Sequence, residues 1–300
     1  MKRILVLRGG ALGDFIVTLP ALRLLRERWP LARIELAGNV RAAELGKIAG
    51  LVDAVHSQAE ARWAQLYGAA PLSPEFVTWL DGFDLIVSFW PDPDGDLRRH
   101  FTHHRKAFIA GDAHTTTAPA AAHFCNALRP QDLTTDVFSV HINYPATMLA
   151  KAAQRLSGLV NFVAVHPGSG SPSKNWPLER WQQFTTRLNR PLLVITGEAE
   201  GEQLFWPETG TIHNAHHWPL PELGAALSKC TLFVGHDSGV SHLAAASGAK
   251  CILLFGPTEP AVWAPPGAMA IRHGSTLDTI SVDELLVAVE RALTRATVDQ

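Results

Sequence analysis

The stretch that decides the architecture is Leu232-Phe233-Val234-Gly235-His236-Asp237-Ser238-Gly239-Val240-Ser241-His242-Leu243-Ala244-Ala245-Ala246. Leu232–Val234 is continuously apolar and runs into a glycine, which suits a strand covered on both faces. The small polar residues after it read as a turn, and the alanine-rich segment Gly239–Ser247 reads as a helix. A buried strand that feeds a helix in this way opens a βαβ unit, and such units build parallel sheets. The N–H groups of Ser238 to Ser241 would point out of the first turn, where the helix dipole favours an anion such as a diphosphate. Asp237 has two readings, a helix cap or a side chain that holds a ribose or amide. His242 either touches phosphate or packs against the next strand.

The same rhythm extends outward in both directions. Strand-like runs stand at Phe162–His166, Leu192–Thr196 and Cys251–Phe255, with helical patterns at Leu178–Asn189 and Val282–Leu293. Nearer the amino end, the runs are Arg3–Leu7, Arg33–Ala37, Leu85–Phe89 and Lys106–Ile109, with a helical pattern over Ala21–Arg28. Between the two sets, residues 143–160 read as a loop and one helix. The expectation is an α/β chain of two Rossmann-like domains, 1–155 and 156–300, whose parallel sheets face each other across a cleft. Gln58–Pro74 has only weak periodicity and receives no element. Ligands of open α/β sheets bind beyond the carboxyl ends of the strands, so the loops there carry the candidate chemistry.

Three further loops qualify. Gly9-Gly10-Ala11-Leu12-Gly13-Asp14 follows the first strand, and its glycines allow a tight turn and close approach of backbone to a ligand. It misses the spacing of the dinucleotide fingerprint GxGxxG, which weakens a nicotinamide-dependent oxidoreductase reading. Asp14 suits a helix N-cap before Phe15, or a general base. Pro20 either kinks the helix that follows or starts its regular part. In His166-Pro167-Gly168-Ser169-Gly170-Ser171-Pro172-Ser173-Lys174, small residues could wrap a phosphate with Lys174 as a compact positive charge, or form a plain surface loop. Phe255-Gly256-Pro257-Thr258-Glu259-Pro260 brings Thr258 and Glu259 to another strand end.

Composition bounds what these loops can do. The 300 residues suffice for two domains that bury about 75% of the unfolded surface. With 47% apolar and 18% charged residues, wholesale disorder and low-complexity scaffolds are excluded. Lys plus Arg is 26 against 28 Asp plus Glu, a net charge of −2 that argues against a broad nucleic-acid footprint. The three cysteines, Cys125, Cys230 and Cys251, form neither a CxxC motif nor a disulfide framework. No secretory h-region or membrane span is present, and a reducing cytoplasm is expected.

Several features have bland readings beside sharper ones. The basic run Arg98–Lys106 reads as a solvated face, offset by Asp92, Asp94 and Asp96, or as a grip on anionic lipid or phosphorylated saccharide. His213, His216 and His217, like His103 and His104, lack the partners at ligand spacing that a metal site needs. Most of the nine tryptophans read as core, with Trp90 and Trp263 set apart because they follow strand ends.

Taken in order, ILVLRGGALGD…TLPALRLLRERWP, VAVHPGSGSPSKNWPLERW and FVGHDSGVSHLAAASGAKCILLFGPTEPAVWAPPG resemble glycosyltransferase family 9, the ADP-heptose:lipopolysaccharide heptosyltransferases and their relatives. The likeness covers most of the chain outside residues 40–135. It implies a GT-B fold, with the acceptor bound mainly by the amino-terminal domain and the sugar nucleotide by the carboxyl-terminal one. An inverting transfer without metal or other cofactor is implied, from a nucleotide-diphospho-sugar donor to a glycan or glycolipid such as a lipopolysaccharide core.

By this resemblance Asp14 matches the catalytic base, and Lys174 the lysine on the donor phosphates. Asp237, Ser238, Gly239, Val240 and His242 match the D-[ST]-G-x-x-H loop that cradles the diphosphate, and Gly13, Ser169 and Thr258 complete the donor set. An acidic residue after Leu192–Thr196 would hold the ribose. Glu198 is taken first for this role, with Glu200 and Glu202 competing. Peripheral contact with the cytoplasmic face of the inner membrane is the furthest lipid involvement expected. The alternative is a non-catalytic nucleotide-sugar-binding protein of the same fold.

Overall fold

A computed structural model describes residues 1–101, 107–197, 206 and 211–298, with side chains through 294. The chain divides into two compact units, Met1–Val140 and His141–Gln300. The sequence reading drew the boundary at 155/156, but the helix Ala146–Leu156 packs on the helix Leu220–Leu227 and so lies within the second unit.

In the first unit, strands β1 (Arg3–Arg8), β2 (Arg33–Gly38), β3 (Ala54–Ser57), β4 (Leu85–Ser88) and β5 (Ala107–Ala110) form one sheet in the order β3-β2-β1-β4-β5. Every ladder is parallel, with Val6 opposite Leu36 on one side and Val87 on the other. In the second unit, β6 (Val163–Val165), β7 (Leu192–Thr196), β8 (Ile212–His216), β9 (Leu232–His236), β10 (Cys251–Leu254) and β11 (Met269–Ile271) form a parallel sheet in the order β11-β10-β9-β6-β7-β8. Its core holds Trp176, Trp181, Phe184, Val165 and Val234.

All eight expected runs form strands. The strands that the sequence left unread, β3, β8 and β11, all lie at sheet edges. An edge strand pairs on one side only and tolerates polar residues, so β3 and β8 lack a continuous apolar run. The weakly periodic stretch contains a 3-10 helix, Ala61–Tyr67. The first helical region is split into Leu12–Ile16 and Leu19–Arg28, with Pro20 in the opening turn of the second helix, where its missing N–H leaves no hydrogen bond unmade.

What ties the polar edge strand β3 down is a buried carboxylate. Glu35 of β2 is 3% exposed and accepts from Arg3 Nη2 at 2.7 Å, Arg33 Nε at 3.1 Å and His56 Nε2 at 2.8 Å, so β1, β2 and β3 share one acceptor. Burial pushes the Glu35 carboxyl up, but the hydrogen bonds from Arg3 and His56, the Arg3 charge and the Arg33 bond outweigh it and hold it below the ordinary value. The stabilisation is therefore complete above the ordinary carboxylate range and is lost as pH falls through the depressed folded value. Glu35→Gln should cost about 2 kcal/mol at neutral pH, because Arg3 and Arg33 stay partly hydrated. Urea unfolding at pH 7 and pH 3 should show the wild type losing that increment on acidification. The variant should lack this part of the acid sensitivity.

Candidate functional site

In the first unit, β1 ends at Arg8 and the chain turns through Gly9 and Gly10. Gly10 adopts φ +97°, and a Cβ on it would lie 2.7 to 2.9 Å from Asp14 side-chain atoms. A Cβ on Gly9 would stand 3.1 Å from Gln58 Oε1 and 3.5 Å from Trp90 Nε1. The glycine pair thus lets backbone pass beneath side chains from the carboxyl ends of β3 and β4 and from the following helix. Trp90 is 7% exposed, edge-on to Trp63 at 5.3 Å, and its indole nitrogen lies beside this turn.

Asp14 is not the helix cap. Ala11 holds that position, and Asp14, on the first turn of Leu12–Ile16, accepts the Ala11 N–H on Oδ2 at 2.9 Å. Its side chain is 40% exposed, and its other oxygen stands 3.5 Å from Arg8 Nη2. A carboxylate has about four lone-pair sites, so acceptor capacity remains for a substrate hydroxyl. Gly13, the residue before it, is half-buried in the same turn.

Arg8 is the residue here that sequence reasoning missed. It is 4% exposed, donates to the Asp14 carbonyl from Nη2 at 2.8 Å and to Thr18 Oγ1 from Nε at 2.9 Å, and lies 4.5 Å over the Phe124 ring. Burial pulls its guanidinium down to about 10 while Asp14 pulls it back up, so it stays charged at neutral pH. The available signal was a cation closing an apolar strand, ILVLR, which is unusual for a buried run.

In the second unit, the loops after β6 and β9 meet. Lys174 Nζ donates to Asp237 Oδ2 at 2.7 Å, with side chains 30% and 8% exposed. An ammonium has three donors, so two remain for an anion at the same place. Asp237 is again not the cap, since Ser238 caps the helix Gly239–Ala246 and its Oγ accepts the Ser241 N–H at 3.3 Å. Gly239 and Val240, half-buried, open that helix, where N–H groups lack intrahelical acceptors. His242 is 7% exposed and packs into the unit.

Ser169 is 5% exposed, and its hydroxyl bonds to Asn175 Oδ1 at 2.6 Å, so it braces the lysine loop from inside. His166 Nδ1 lies 3.2 Å from Ser238 Oγ, a second brace between the two loops. Thr258 Oγ1 is buried without a hydrogen-bond partner after β10, while Glu259 pairs with Arg272. Trp263, half-buried, ends the short helix Pro260–Trp263.

Glu198, Glu200 and Glu202 lie outside the described residues, as do His103, His104 and the end of the basic run. Its described part is paired, Arg98 with Asp92 and Arg99 with Asp96. His216 Nδ1 lies 2.9 Å from Thr196 Oγ1 where β7 and β8 end. Burial pushes the Cys125 and Cys251 thiols up to about 12, so neither is a thiolate at neutral pH.

A family model described as glycosyltransferase family 9 (heptosyltransferase) matches residues 124–281. Lipopolysaccharide heptosyltransferase 1 of Salmonella typhimurium is 22% identical over 288 residues, covering 86% of this chain and 89% of its own length. Among solved structures, the glycosyl transferase family 9 protein from Veillonella parvula DSM 2008 matches with a TM-score of 0.79 at 22% identity over 98% of both chains. The E. coli ADP-heptose LPS heptosyltransferase II matches with a TM-score of 0.77 at 16% identity, over 98% of this chain and 99% of that one. These likenesses establish the GT-B fold.

The close approach at Gly10 has a measurable outcome. Gly10→Ala should cost about 2 kcal/mol, since φ is strained for any Cβ and the Asp14 carboxylate must move. Chemical denaturation measures the cost. Gly50→Ala, also at positive φ but with nothing within 4 Å, isolates the part due to backbone strain alone.

Proposed function

This chain belongs to glycosyltransferase family 9, and from that premise we propose that it moves a heptose from ADP-heptose to a lipopolysaccharide core or another surface glycan, with inversion and without a metal ion. The observation that carries the reading is the Lys174–Asp237 pair beside the Ser238-capped helix, which places an ammonium with two spare donors next to open backbone donors. The identity of the donor follows the E. coli ADP-heptose enzyme that shares the fold.

In this reading the second unit takes the nucleotide. Two Lys174 donors and the first N–H groups of Gly239–Ala246 hold the diphosphate and stabilise the charge it gains as the bond to the anomeric carbon breaks. They do the work a divalent ion would otherwise do. The first unit takes the acceptor. Asp14 removes the proton from the acceptor hydroxyl as its oxygen attacks the anomeric carbon, and ADP leaves with the electron pair of the broken bond. Arg8 keeps the Asp14 turn in place through the Asp14 carbonyl and Thr18.

No helix among the described residues is long and apolar enough to cross a membrane. The proposed setting is the cytoplasm, with peripheral contact at the inner membrane where a lipid-borne acceptor is presented.

Asp14→Asn should lower turnover by about 10²- to 10⁴-fold, the usual contribution of a general base, while ADP affinity stays at the wild-type value. Lys174→Ala should weaken ADP binding by about tenfold or more. Calorimetry with ADP and a transfer assay separate the two effects. Full turnover in Asp14→Asn would remove the base, and unaltered ADP binding in Lys174→Ala would remove the diphosphate seat. Retained activity after chelation and an inverted anomeric signal in the NMR spectrum of the product are the outcomes expected for a metal-independent, inverting reaction. Thermal shift with ADP-, UDP- and GDP-sugars identifies the base, since the bound donor stabilises most.

A further inference from the structure

Lys174 sits on a largely irregular loop between β6 and the helix Leu178–Leu188. Residues 167–177 are rich in Gly, Ser and Pro, contain only the 3-10 turn Pro172–Lys174, and leave open space where a Cβ on Gly170 would stand. Yet the ammonium is held 2.7 Å from Asp237. Some group must fix where this loop leaves β6 and where it enters the helix Leu178–Leu188.

That group is the residue just before Asp237. His236 ends β9, is 0% exposed, and touches the lysine loop at both ends. Its Nε2 accepts the Trp176 N–H at 2.9 Å, after the lysine, and its Nδ1 lies 3.3 Å from the Gly168 carbonyl, before it. A carbonyl only accepts and a backbone N–H only donates, so the ring is the neutral form with its proton on Nδ1. Trp181 packs edge-on against the imidazole at 5.3 Å and 85°, which fixes the ring plane. One rigid ring therefore sets the width of the loop mouth and ties it to the residue adjacent to Asp237. We propose that His236 is a positioning residue, a clamp on residues 168 and 176 that holds Lys174 in line with the diphosphate seat. This rests on the reading of Lys174 as a donor-phosphate ligand.

The inference separates three side chains by their chemistry. Phenylalanine keeps the ring's bulk but offers neither bond. Asparagine keeps a donor near the Nδ1 position and loses the acceptor for Trp176. Glutamine places an amide oxygen near the Nε2 position and restores that acceptor.

The first readout needs no ligand: tryptic cleavage at Lys174–Asn175 in the full chain, followed by mass spectrometry and normalised to cleavage after Lys47. His236→Phe should raise the rate about thirtyfold, the scale of two lost buried hydrogen bonds, with His236→Asn and His236→Gln, which each keep one of the two, intermediate. The second readout is ADP affinity by calorimetry. His236→Phe should weaken it about tenfold in the wild-type background and add nothing beyond Lys174→Ala, because coupled residues do not add. Unchanged cleavage at Lys174 in a His236→Phe protein that melts as wild type does would overturn the clamp. So would an undiminished further loss of ADP affinity in the Lys174→Ala background. Should His236→Phe fail to fold, His236→Asn carries the same two tests. Failure of the wild type to bind ADP would sink the donor reading, while the cleavage rates would still decide whether His236 holds the loop.

Discussion

The constraint on which everything else depends is that both sheets are wholly parallel. In a parallel sheet every strand ends on the same edge, so the loops that leave those ends collect there whatever their distance along the chain. Gln58, Gly9 and Trp90 follow β3, β1 and β4, and this shared edge is why they converge. His166 and Asp237 follow β6 and β9 and converge for the same reason. Parallel strands are covered on both faces, which is why the central strands are mostly apolar.

Within the first unit the constraint brings a charge into the interior. Arg8 closes a strand that is buried from Ile4 onward, and a lone guanidinium there would be costly. The cost is offset by the Asp14 carbonyl, the Thr18 hydroxyl, the nearby Asp14 carboxylate and the Phe124 ring. The same bonds hold the turn that carries Asp14, so solvating the arginine and orienting the acid are one arrangement. Gly10 completes it, since any side chain there would collide with that acid.

The second unit solves a different problem, how to place an ammonium on a loop with only a single 3-10 turn to carry it. Asp237 takes one of its donors, Ser169 ties the loop to itself, and His236 grips its two ends. Ser238 caps the neighbouring helix and leaves Asp237 to the lysine. Of two adjacent residues, one thus holds the lysine and the other caps the helix.

Much of this was legible without coordinates. Eight apolar runs located eight strands, and the positions just after them carried Asp14, Lys174 and Asp237, because burial on both faces and small-residue turns leave local marks in a sequence. The edge strands β3, β8 and β11 left none, as half of their backbone and much of their side-chain surface need no apolar cover. Both aspartates looked like helix caps, since spacing cannot tell the cap from its neighbour on either side. What Arg8 and His236 bond to was unreadable for a deeper reason. Arg8 works with residues up to about a hundred positions away, and His236 with residues 60 and 68 positions away. Chain order alone determined which residues would end strands; only the folded sheets decided which of those ends would touch, because hydrogen bonds between distant segments exist only after parallel pairing has brought them to one edge.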